Sequence, residues 1–213
     1  MRRINFDTDY YRRHLPHLQR AGANYFVTTR LVDSIPKEQL NQLQAEQVKL
    51  KRGLSRTDLP LDEKTRIENE LKRHFAKYDA LLDKASTGPS WLRDPSIAKL
   101  VFDHILTEAE RSYRLDCFTI MSNHIHIVLK PNIDVRLDEA MRRIKQPTAF
   151  HCNKRLARHG AFWQDGSYDH IIREREWARI IWYVLQNPVE AGLVTRWQDW
   201  PYTYLSPNIL GFE

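Results

Sequence analysis

Glycine is scarce in this chain of 213 residues. There are seven, and no two stand in a G-x-G or GxxxxGK[ST] arrangement. Enzymes that cradle a dinucleotide or a nucleoside triphosphate on backbone N–H groups rely on those spacings, so both classes are excluded. Cysteine is scarcer still: Cys117 and Cys152 form no CxxC pair. A disulfide scaffold is thereby excluded, and two reduced, partly buried thiols in a cytoplasmic protein are expected. Long apolar runs are also missing. The longest, Ile180 to Leu185, falls far short of the ~20 residues that cross a bilayer. The N-terminus, MRRINFDTDYYRRHL, is basic but lacks the apolar stretch of a secretory signal.

What is present is a foldable, basic chain. Apolar residues make up 42% and charged residues 28%, with 33 Lys and Arg against 27 Asp and Glu, a net charge of +6. That composition supports one core, possible at this length as a single domain over residues 1–213. A basic surplus points towards an anionic partner, nucleic acid first. The surplus is uneven. Residues 1–100 hold 19 cations against 13 anions, and residues 101–213 hold 14 of each.

Asn24 to Val32 is β-branched and aromatic and reads as a strand. Ser34 and Pro36 start a helix carrying Leu40, Leu43 and Leu50. Beyond a break near Gly53 to Pro60, Ile67, Leu71, Phe75, Tyr78 and Leu82 recur at helical steps. The two helices, Lys37 to Leu50 and Leu61 to Asp83, are expected as an antiparallel hairpin inserted at residues 37–83. It is either a solvated charged elaboration or a grip on DNA. Asp94-Pro95 opens a helix that runs to about Tyr113. Leu115 to Met121 and His124 to Leu129 read as strands joined by a tight turn. A basic helix from Leu137 to about Arg158 is expected to break or kink at Pro147. A loop, a strand over Tyr168 to Arg173 and a helix from Glu174 follow, the last expected to stop at Asn187-Pro188. The order implies an α+β fold, a mostly antiparallel sheet covered by helices with an inserted helical hairpin.

Three features carry chemistry. His124 and His126 are i and i+2 on a strand, so both imidazoles share a face and can grip one metal ion. They could equally line a polar sheet face. At roughly 100° per residue, Trp177, Ile180, Ile181, Val184 and Leu185 form the buried stripe of the last helix. Tyr183 falls well off that stripe, and Asn187 lies four residues on, on the same face as Tyr183. The plain alternatives are a boundary tyrosine and an asparagine that ends the helix. Arg136, Arg142, Arg143, Lys145, Lys154, Arg155 and Arg158 form a run opposed only by Asp138 and Glu139. Such a run suits a nucleic-acid backbone, or is an ordinary solvated helix face.

Together these residues resemble the single-tyrosine, IS200-like branch of the HUH transposases, and more closely its REP-associated tyrosine transposases. The resemblance rests on Met121-Ser122-Asn123-His124-Ile125-His126-Ile127-Val128, on Phe162-Trp163-Gln164 through Tyr168-Asp169-His170, and on Tyr183 to Pro188 followed by Ala191-Gly192-Leu193. The Tyr25-Phe26-Val27-Thr28 strand also fits. At the first strand the family's G-T-W-S-like element is replaced by Gly22-Ala23-Asn24-Tyr25, which keeps only the glycine.

The resemblance implies an HUH endonuclease fold, ferredoxin-like or RRM-like. It implies cleavage of single-stranded DNA beside an imperfect hairpin through a covalent 5′-phosphotyrosine, and rejoining of strands. Tyr183 would be the nucleophile, with Tyr168 a rival. His124, His126 and Asn187 would bind Mg²⁺ or Mn²⁺. DNA would lie along the basic run and near Tyr25, with the N-terminal arginines as a second contact. The resemblance further implies a cytoplasmic, nucleoid-acting bacterial protein, monomeric or homodimeric, with no membrane partner. The alternatives are a domesticated protein that binds DNA hairpins without cutting, and a metal-dependent hydrolase of small molecules.

Overall fold

The computed structural model describes residues 9–12, 16–20, 22–54, 56, 58–84, 88–209 and 211–212. Two short strands, β1 (Asp9–Arg12) and β2 (Pro16–Gln19), pair with each other. The main sheet has five strands: β3 (Asn24–Arg30), β4 (Tyr113–Ile120), β5 (His124–Pro131), β6 (Tyr168–Ile172) and β7 (Thr203–Leu205). They lie in the order β6-β3-β5-β4-β7, and every neighbouring pair is antiparallel. The fold is α+β, as expected.

Alternation along the strands sorts the sheet into two faces. On one, Val27, Ile125, Ile127 and Leu129 enter the larger core, with Ile97, Val101 and Ile105 of α3 (Pro95–Ser112) and Ala140, Met141 and Ile144 of α4 (Leu137–Arg155). Each of these isoleucines stabilises the fold by about 1.5–3 kcal/mol relative to exposure. On the other, Phe26, Cys117 and Val128 meet Ile180, Ile181, Val184 and Leu185 of α5 (Glu174–Glu190). Beside α5, helices α1 (Lys37–Leu54) and α2 (Leu61–Asp83) pack on each other and on Tyr168 through Leu43, Tyr78 and Leu82. Cys117 and Cys152 are buried free thiols. Among the described residues, no helix is long and apolar enough to cross a membrane.

Two helices pass through prolines expected to break or end them. α4 continues through Pro147 to Arg155. Proline removes the N–H that would bind the carbonyl four residues back. That carbonyl, on Arg143, accepts instead from His104 Nε2 of α3 at 2.9 Å, so the helix survives the proline. α5 likewise continues through Asn187-Pro188 to Glu190. It ends at Gly192, whose φ of 68° lies in the left-handed region. Gly192 N–H donates to Val189 O and Leu193 N–H to Pro188 O, both at 2.9 Å, the paired bonds of a Schellman stop. Asn187 is therefore an interior helical residue rather than the stop.

Candidate metal and nucleophile site

The site forms where α2 and α5 cover the sheet face that bears both histidines. β3 and β5 pair with Thr28 opposite His126 and Arg30 opposite His124. Both imidazoles are buried. His124 Nδ1 contacts Asn123 Oδ1 at 2.6 Å. The amide oxygen can only accept, so Nδ1 carries the hydrogen and Nε2 presents a lone pair. Thr28 Oγ1 holds His126 Nδ1 at 2.8 Å, and the Phe26 ring stacks on the imidazole with centroids 5.5 Å apart. The two Nε2 atoms face each other at 3.1 Å. Burial first, then His126, pushes His124 down to about 3, so it is neutral at physiological pH, the form that binds a metal.

Asp79 of α2 completes this cluster. Its Oδ1 lies 3.2 Å from His126 Nε2, and its Oδ2 accepts a hydrogen bond from the Tyr183 hydroxyl. Burial raises its pKa, but His126, His124 and the Asn187 amide together stabilise the charge and hold it below the usual carboxylate range. Ligand atoms of Asp79, His124 and His126 all lie within 4.8 Å of one another. Asn187 is buried on α5, and its Oδ1 has no hydrogen-bond partner. A lone pair on a neutral imidazole, a buried carboxylate oxygen and an orphaned amide oxygen together suit a hard divalent cation that tolerates mixed N and O ligands. The donor set thus fits a divalent cation.

Sequence reasoning brought His124, His126, Tyr183 and Asn187 to this place but missed Asp79. It sits at i+4 from Phe75, one residue after Tyr78, on a helix whose seam looked purely structural. A carboxylate at 5% exposure beside that seam had no signal of its own in one sequence. Phe75 packs edge-on against both Tyr183 and Phe26, with centroids 5.9 and 5.2 Å away. The half-buried Tyr183 ring is thus enclosed by α2.

The other expected site residues lie elsewhere. Tyr168 is buried on β6 against Phe75 and Tyr78, and burial raises its pKa. Tyr25 is a core residue, not a surface contact. It points to the face opposite the histidines, 2% exposed, and its hydroxyl donates to Arg20 O. The basic run belongs to α4 and the turn after it, also on that opposite face. Much of it is engaged internally. Arg136 pairs with Asp138, and Arg142 and Arg143 with Glu139. Lys145 donates to Gln164 O and Gly166 O, and Arg158 lies over the Trp91 ring. Lys154 and Arg155 are exposed. Arg2, Arg3 and Arg13 lie outside the described residues.

The family model described as "Transposase IS200 like" matches residues 97–187, a span that holds His124, His126, Tyr183 and Asn187. Over that span the chain is similar to the IS200-like transposases. A Haemophilus influenzae protein carrying the name REP-associated tyrosine transposase is 28% identical over an alignment of 95 residues that covers 39% of this chain and 54% of the relative. The chain thus matches about half the length of that curated relative. The structure titled as a REP-associated tyrosine transposase bound to a REP hairpin aligns over 92% of this chain and 81% of its own, with a TM-score of 0.53 and 16% identity. That likeness shows a shared fold. All three findings agree with the resemblance carried by the H-x-H and Tyr-x-x-x-Asn motifs. Asp79 lies outside the IS200-like span.

Proposed function

We propose that this IS200-like relative is a metal-dependent endonuclease and strand transferase for single-stranded DNA at hairpin-bearing repeats. One observation carries the reading: the Tyr183 hydroxyl is hydrogen-bonded to the carboxylate of the histidine–carboxylate cluster, Asp79. Tyrosine titrates near 10 in water, so its phenolate is scarce at neutral pH. A divalent cation held by His124, His126, Asp79 and Asn187 would favour the phenolate and polarise a phosphoryl oxygen.

The residues then divide the work. His124 and His126, fixed by Asn123 and Thr28, present their Nε2 atoms to one point. α5 holds Tyr183 and Asn187 one turn apart, on one face. Tyr183 gives up its phenol proton, its oxygen bonds to phosphorus, and the bond to the 3′ oxygen breaks. That oxygen takes a proton and leaves as a free 3′ hydroxyl. The phosphotyrosine bond keeps the energy of the cleaved linkage, so a 3′ hydroxyl can reverse the step and join strands. No nucleotide-powered step is required, consistent with the missing glycine loops.

A single-stranded oligonucleotide carrying a repeat hairpin from the DNA flanking the gene tests the reading. With Mn²⁺ it should yield a covalent protein–DNA band that Tyr183→Phe abolishes. A band that persists in Tyr183→Phe removes the assignment. A second reading, hairpin binding without cleavage, is favoured by one contact: Asp79 already occupies the Tyr183 hydroxyl beneath α2. It predicts salt-sensitive binding and no adduct with any divalent metal.

A further inference from the structure

Next to the metal cluster, between the helical hairpin and the sheet, lies a small cleft that opens to solvent. Arg30, Gln47, His74, Tyr78 and Tyr168 are among its walls. Arg30 is on β3 opposite His124, two residues from Thr28. Alternation therefore puts it on the same sheet face as the histidine pair.

Arg30 is 3% exposed and Gln47 2%. Arg30 Nη1 donates to Ser34 Oγ at 3.2 Å, but Nη2 has no hydrogen-bond partner. The Tyr78 hydroxyl is close enough to accept from the guanidinium, which opposes the rise in its pKa that burial causes, while Nη2 has no partner in full hydrogen-bonding geometry. Gln47 Nε2 is likewise unpartnered. His74 Nε2 is tied to Leu43 O at 2.8 Å, which leaves Nδ1 free on the wall. Among the described residues, no carboxylate forms a salt bridge with Arg30.

A buried guanidinium without an anion is costly, because neutral partners replace its lost hydration only in part. Two unpartnered donors, one of them permanently charged, belong to side chains that line one cleft. We propose that the Arg30–Gln47 cleft binds a phosphate group, specifically a backbone phosphate of the DNA strand near the one cleaved at Tyr183. Arginine suits the role because its planar fork matches phosphate oxygens and its charge is never lost. The walls come from the α1–α2 hairpin as well as from β3, so the hairpin would hold the strand as it crosses the sheet face. The inference rests on the single-strand DNA reading above.

The test uses the full chain without divalent metal and two probes. Inorganic phosphate should raise the melting temperature of the wild type, and this rise should vanish in Arg30→Gln and in Gln47→Met. The second variant keeps side-chain volume and guards against a folding defect in the first. Binding of a hairpin-bearing single strand should weaken about 10-fold in Arg30→Gln. The slope of log affinity against log salt should fall by about 0.7, the value of one single-strand phosphate. A purely structural Arg30 would lower stability and leave that slope unchanged, which overturns the proposal. A phosphate effect with no change in DNA affinity or slope also overturns it, since the cleft would then serve a free phosphate. The nuclease reading fails separately: an absent adduct with an intact Arg30-dependent slope removes cleavage and keeps the cleft.

Discussion

Replacing Tyr183 with Phe removes one oxygen that links α2 to α5. Its partner, Asp79 Oδ2, is ionised and sheltered, and a hydrogen bond to a charged group contributes about 1.5–3 kcal/mol. The remaining side-chain anchors of α2 include the Glu68–Arg173 pair, Lys72–Glu176 at 3.1 Å, the Asn123 amide on Leu82 O at 2.9 Å and the Phe75 ring contacts. A hairpin docked by these links and by one small apolar cluster, Leu43, Tyr78 and Leu82 on Tyr168, should open without the sheet unfolding. Since about 1.4 kcal/mol is tenfold, amide exchange in α2 should quicken roughly 10- to 150-fold in Tyr183→Phe. Amides of β4 and β5 should stay within about twofold, because the hydroxyl touches neither strand. Asp79→Asn should have a similar effect, and the double variant should add little to it, as expected of two groups in one bond. Hydrogen exchange read by mass spectrometry without metal is the assay. Unchanged exchange in α2, or equal acceleration in β5, would refute the argument that the Tyr183–Asp79 bond keeps the hairpin over the nucleophile. The point bears on the proposed function, under which DNA would have to displace that bond to reach the tyrosine.

Two further outcomes follow from the packing. His104→Ala should lower stability by about 1 kcal/mol in chemical denaturation, the usual worth of one hydrogen bond. It should cost less in a Pro147→Ala background, where residue 147 regains an N–H for Arg143 O; an equal cost in both backgrounds would show that His104 does not stand in for the missing bond. Asp83 is pushed up to about 6 by loss of hydration and by the charge of Asp79 one turn away. Its folded pKa lies above the ordinary ~3.9, so ionisation opposes folding, by nothing below about pH 4 and fully above pH 6. Asp83→Asn should thus be neutral at pH 4 and raise the melting temperature increasingly up to pH 6, then level off. Residue exposure limits the gain to under about 1 kcal/mol, and a gain that shrinks as pH rises would contradict the sign.

Local pattern sufficed for much of this protein. Alternation put both histidines on one strand face and Ile125, Ile127 and Leu129 on the other. Helical period separated Tyr183 from the buried stripe of α5 and aligned it with Asn187. These properties depend on two short periods, 2.0 and 3.6 residues, that any stretch of sequence displays. Where a proline met a helix, the local rule failed. Pro147 and Pro188 both sit inside intact helices, and at Pro147 the compensating donor is His104, 39 residues from the Arg143 carbonyl it serves.

Tertiary structure alone decided the rest. Asp79 enters the site from a helix 45 positions before His124, and Arg30 faces an open cleft rather than a carboxylate. Neither fact has a period or a motif. Each depends on how the α1–α2 hairpin lies across the sheet, and that is fixed by Leu43, Tyr78 and Leu82 packing on Tyr168. The sign of the chain's charge pointed to an anionic partner. Which cations face the histidine pair depended on the faces of the folded sheet: α4 carries most of the basic run on one, and Arg30 is buried on the other.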